Sequence, residues 1–99
     1  MEHICRISAA AVINQLSALF DMHMVERLTV RLYPVEFGKE LVRFGHTSDP
    51  LHQFSAHFAK WIDSEFAGQI RQTRKVTSEN LGGRESQNQE WEKIVPQVA

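Results

Sequence analysis

The sequence predicts an α+β domain: helix, β-hairpin, long helix and short C-terminal helix, with both long helices packed on one face of the hairpin. Three observations carry this expectation. Apolar residues recur at helical spacing before Val25 and again after Pro50. Between Arg27 and Tyr33 the period changes to strict alternation, as in a half-buried strand. Asp49-Pro50 is a helix start signal of unusual clarity, with an N-cap carboxylate followed by a proline whose missing N–H costs nothing in the first turn.

The first helix is expected from about Ser8, as N-cap, to Val25. Ala9, Val12, Ile13, Leu16, Leu19, Phe20 and Met24 share one face, with Asn14, Ala18 and Asp21 opposite. His23 falls within that apolar stripe and reads as a boundary histidine, its ring packed and one nitrogen hydrogen-bonded. A sharper reading makes it a pH-sensitive interface residue.

Arg27–Tyr33 then forms the first strand of a hairpin. Pro34 marks an edge or bulge, and Gly38-Lys39 supplies a two-residue turn between Val35–Phe37 and Glu40–Phe44. In that register Val35 faces Val42 and Tyr33 faces Phe44. The competing reading makes Pro34–Phe44 a short helix with Phe37, Leu41 and Phe44 on one face. It would convert the fold into an all-α bundle.

The long helix runs from Asp49 to about Lys75. Leu51, Phe54, Phe58, Trp61, Ile62 and Phe66 form its stripe, and four of those six are aromatic. Beyond Ile62 the stripe degrades: Glu65 and Gln69 intrude, Phe66 and Ile70 drift to its edge, and Arg71, Arg74 and Lys75 gather at the end. Asp49–Ile62 therefore reads as the spine of the core, and Glu65–Lys75 as a segment projecting past it. From Arg84 to Val95 a short helix docks by Trp91 and ends at Pro96, or orders only on a partner. The division is a compact domain over 1–76 and a flexible connection with the short helix over 77–99.

Ninety-nine residues suit one domain, and 42% hydrophobic with 23% charged residues is ordinary globular composition. The net charge is −1, which lowers but does not remove a nucleic-acid role. One cysteine, Cys5, allows no intrachain disulfide and points to a reducing, cytoplasmic setting. The start of the chain has no basic segment or apolar run of the kind a signal peptide needs, and no stretch is long enough to span a membrane.

The histidines are not spaced as a metal site: His52 and His57 stand five apart and so on different helical faces. The sequence holds no nucleophile elbow, phosphate loop or dinucleotide fingerprint. We therefore expect no enzyme, cofactor or metal. The expected function is a small regulator of inhibitor or antiactivator type, bacterial or phage, that binds another protein and forms a homodimer. Its expected surface comprises Trp61, Glu65, Phe66, Ile70, Arg71 and Arg74, since a rimmed apolar patch with tryptophan marks partner sites. The alternative is a nucleic-acid-binding transcriptional regulator using Arg71, Arg74, Lys75 and the hairpin's Arg27, Arg31 and Arg43.

Overall fold

The computed structural model describes residues 1–94. In chain order it contains α1 (Arg6–Gln15), β1 (Leu19–Asp21), α2 (Met22–Leu32), α3 (Pro34–Val42), α4 (Pro50–Glu65), β2 (Ile70–Glu79) and β3 (Glu85–Lys93). The fold is α+β with a hairpin, as predicted, and it is not all-α. The hairpin lies elsewhere in the chain.

The predicted first helix is three elements. The thiol of Cys5, not Ser8, caps α1 by accepting the Ser8 N–H at 3.5 Å. Ala9, Val12 and Ile13 bury its inner face. At Leu16 the backbone becomes extended, and Ser17 Oγ donates to Leu19 O at 3.0 Å, leading into β1. Asp21, placed by the sequence on a polar helix back, is buried and caps α2 by accepting Met24 N–H at 2.9 Å. A capped start this close upstream overrides the alternation of Arg27–Tyr33, which is helical throughout except Tyr33 itself. Val25 and Thr29 are buried one turn apart, and Thr29 Oγ1 donates back to Val25 O at 2.6 Å.

Pro34 opens α3 at its first position, so the competing helical reading of this segment is the correct one. Phe37 is buried, with Leu41 and Phe44 packed against the core. The predicted cross-strand pairs do not form; Val35 and Val42 are instead seven apart on α3 and exposed. Glu40 is fully buried and tethers the N-terminal segment. Its Oε1 accepts the backbone N–H groups of His3 and Ile4, and its Oε2 accepts Arg43 Nη1 at 2.9 Å. Burial alone would raise the Glu40 pKa, but these hydrogen bonds outweigh it and hold the carboxyl below its ordinary range.

α4 begins as predicted, with Asp49 Oδ1 accepting His52 N–H at 3.2 Å and Pro50 first in the helix. Phe54 stacks between Phe44 and Phe58, at ring distances of 5.8 and 5.4 Å. The helix stops at Glu65 rather than Lys75. Gly68 takes a φ of +86°, open to glycine at no steric cost, and turns the chain into β2. The polar intrusion after Ile62 thus marks the end of a helix, and Arg71, Arg74 and Lys75 lie on a strand.

The expected C-terminal helix is β3, and Pro96 lies outside the described residues. Antiparallel β2 and β3 are joined by a turn in which Asn80 Oδ1 accepts Gly82 and Arg84 N–H. β2 bulges between Gln72 and Lys75. β3 occupies the centre of the sheet, in the order β1-β3-β2, and Trp91 pairs with Phe20 of β1.

Two stability outcomes follow from these elements. A Cβ on Gly38, which sits mid-helix in α3, meets no atom within 4 Å. Gly38→Ala therefore raises stability by about 0.5–1 kcal/mol, read from the urea midpoint. Glu40→Ala leaves two backbone donors and Arg43 without their acceptor and lowers stability by about 2–4 kcal/mol in the same titration.

Candidate functional site

The residues singled out at the distal end of the long helix do not form one exposed patch. Phe66 and Ile70 are buried in the core, at 2% and 6% exposure, so their exposure in the free chain is corrected. Phe66 closes α4, and Ile70 starts β2 with its N–H bonded to Phe66 O at 3.1 Å. Trp61 is half-buried against Phe58. Glu65, whose carboxylate would be costly in a core, lies at the surface and pairs with Arg6 at 3.4 Å. The Arg6 guanidinium also covers the Phe66 ring, 4.8 Å from its centroid.

The basic residues separate as well. Arg71 pairs with Glu92 at 2.8 Å, Arg74 with Glu90 at 3.5 Å, and Arg43 with Glu40 and Glu2. Arg27 and Arg31 are on α2, and Arg27 donates to Glu79 O at the end of β2. The six cations therefore belong to three elements or their ends, and three of them face carboxylates.

Two surfaces remain that the fold itself assembles. The first is apolar. Val35 (60% exposed) and Val42 (77%) share a face of α3, and Leu32 (40%) ends α2 just before it. The second is a groove of about 450 Å³ between the start of α2, the N-terminal two-thirds of α4 and the β2–β3 hairpin. Its helical walls carry Glu26, Asp49, His52 and Ser55, and its hairpin wall carries Lys75, Arg84 and Asn88.

His23 and Glu26 are brought to this groove by the first turns of α2. The expected packing of His23 is found: the ring is buried, Nδ1 lies 2.8 Å from Ser78 Oγ and Nε2 lies 3.4 Å from Ser86 Oγ. The backbone N–H of His23 donates to Asn88 Oδ1 at 3.0 Å. Burial lowers the His23 pKa, and the nearby Asp21 charge opposes this only in part.

Glu26 is 1% exposed. Its Oε1 accepts the hydroxyl of Ser55, while Oε2 has no partner among the described residues. Burial raises its pKa to about 7, against the hydrogen bond from Ser55, and the Asp21 charge adds to the rise. A carboxyl poised at neutral pH with one oxygen unsatisfied is the most unusual group in the molecule. The sequence did not single it out, because Glu26 shares a buried face with Met22, Val25 and Thr29 only once residues 22–32 are known to be helical.

Among the described residues, no group of three or more His, Cys, Asp or Glu side chains is placed to hold a metal ion. No helix among them is long and apolar enough to cross a membrane. Comparison with protein-family models, with curated proteins and with solved structures finds no match.

The Glu26 carboxyl makes stability depend on pH in a definite direction. In the unfolded chain it ionises at its ordinary value of 4.5, in the folded chain at about 7. Between those values the folded state holds a proton the unfolded state has lost, so stability falls as pH rises from 4.5 to 7. The full cost above pH 7 is about 3 kcal/mol. Glu26→Gln removes this contribution. In urea titrations the variant exceeds the parent by about 1–3 kcal/mol at alkaline pH, and the difference shrinks or reverses near pH 5.

Proposed function

We propose that this protein is a small non-enzymatic regulator that acts by occupying a surface on another protein, in the manner of an inhibitor or antiactivator. The observation that carries this reading is the exposed apolar strip formed by Leu32, Val35 and Val42. Burying these three side chains would remove apolar surface from water at about 25 cal/mol per Å², and neither α2 nor α3 gains from holding them outward. The apolar helix surface expected on the distal part of the long helix is thus better sought on α3. Phe66 and Ile70 belong to the core, and Trp61, Glu65, Arg71 and Arg74 are not part of this strip. Self-association has a separate route: β2 is an edge strand whose outer side has no strand partner among the described residues, which supports a homodimer by sheet extension. A cytoplasmic setting rests on the single cysteine.

The nucleic-acid reading has weaker support, since Arg43, Arg71 and Arg74 face carboxylates. A mobility-shift titration in low salt separates the two, because counterion release favours any phosphate contact there.

The direct test of the leading reading is affinity capture from the native cell with the parent chain and with the double variant Val35→Asp, Val42→Asp. Both positions are exposed, so the variant keeps its circular dichroism and its melting temperature within a few degrees. A partner identified by mass spectrometry should be captured by the parent and lost from the variant by tenfold or more, about 1.4 kcal/mol. Equal capture by both chains rejects the strip as the contact surface. Light scattering on the same two samples reports whether the strip or another surface holds a dimer.

A further inference from the structure

The groove between α2, α4 and the hairpin has walls of opposite charge. Its helical walls present Glu26, deep and with Oε2 unpartnered, and Asp49, which uses Oδ1 to cap its own helix. The facing hairpin wall presents Lys75 and Arg84, neither of which forms an ion pair among the described residues. The neighbouring basic residues of β2 behave differently, since Arg71 and Arg74 are both paired across the strand. Between the charged walls the lining includes Met22, Leu51, Ala56 and Ala59, which are apolar or small.

A lone cation in this groove would meet Lys75 and Arg84, and a lone anion would meet Glu26 and Asp49. A ligand with both signs satisfies both walls. We propose that the groove binds a small zwitterion carrying both an amino group and a carboxylate, the chemistry of a free amino acid or a short peptide. The ammonium is held by Glu26, with the Ser55 hydroxyl beside it as a further acceptor. Oε2 is sealed from solvent in the free protein, so binding must draw the Glu26 side chain into a rotamer that opens Oε2 to the groove. The carboxylate is held by a hairpin cation. Lys75 pairs with Gln89, whereas Arg84 precedes Glu85 at the turn, so the two stand about 17 Å apart along the strand and the ligand uses one of them. The ligand's body lies on the apolar middle of the groove, whose size of about 450 Å³ is within the usual range for small-molecule sites.

The experiment is amide NMR of the full chain titrated with individual probes at millimolar concentration. The probes are the standard L-amino acids and the dipeptide glycyl-lysine, together with butylamine and butyrate, which carry one charge each. The expected result is saturable shifts of groove amides (Glu26, Ser55, Ala56, Asn88) for at least one amino acid or the dipeptide, and none for butylamine or butyrate. Which of the two zwitterion arms binds more tightly identifies the source. Glu26→Gln should weaken binding about tenfold or more, as loss of a charge-assisted contact does, and so should either Lys75→Ala or Arg84→Ala. Lys75 and Arg84 are exposed, so those two variants report on binding without endangering the fold. The spectrum of Glu26→Gln, well dispersed before ligand is added, checks its fold. No groove shifts with any zwitterion overturns the proposal. So does unchanged affinity in folded Glu26→Gln, or single-charge probes that bind as well as the zwitterion.

Discussion

Trp91 is the point on which the architecture turns. It is fully buried near the C-terminal end of the central strand, its ring lies 5.8 Å from Phe20 on β1, and its indole N–H reaches Asp63 of α4 at 3.1 Å. A buried tryptophan needs both apolar neighbours and a partner for its one donor. Here the neighbours come from the sheet and the partner from the last long helix. That single side chain therefore fixes the distance between α4 and β3 and the register of β1 against β3. Lys93 N–H and its ammonium extend the same seam, bonding to Ala18 O at 2.8 Å and Leu16 O at 2.6 Å.

Two buried glutamates show how differently one residue type is used. Glu40 has its carboxylate satisfied by backbone donors and Arg43, and it ties a short N-terminal segment, including buried Ile4, to α3. Such a group adds definition to the fold because every oxygen is engaged. Glu26 is as deeply placed but only half satisfied. A chain selected for stability alone would do better with an apolar residue there, so the tension at Glu26 is the strongest local sign of a role beyond folding.

What could be read from the sequence was set by how local its cause was. The start of α4 is legible because Asp49 and Pro50 act on their own first turn. The apolar spine of Phe54, Phe58 and Ile62 followed from periodicity, whereas the mixed class came out right although the segment read as the first strand is helical. The hairpin was misplaced for two reasons of opposite kind. Arg27–Tyr33 alternates like a strand but inherits a helix from the cap at Asp21, a residue hidden inside what looked like one long helix. Glu85–Lys93 is rich in Glu, Gln and Asn and has little strand character of its own; it is a strand because β1 and β2 flank it and Trp91 is buried. The site followed suit. Phe66 and Ile70 looked like an exposed end only while the helix was thought to continue, and Glu26 carried no signal at all until α2 was in place.

The pairing of Phe20 with Trp91 also governs the time at which this molecule becomes itself. On a ribosome, the four helices emerge before the strand that completes the sheet, and Phe20 has no Trp91 ring to meet until then. Contacts this far apart in sequence close slowly, because the intervening chain must be ordered first. The nascent protein thus passes through a stage in which its apolar interior is open on the side that β3 will cover. In the cell that stage is the one exposed to chaperones and proteases, and its length is set by how late in the chain Trp91 is made.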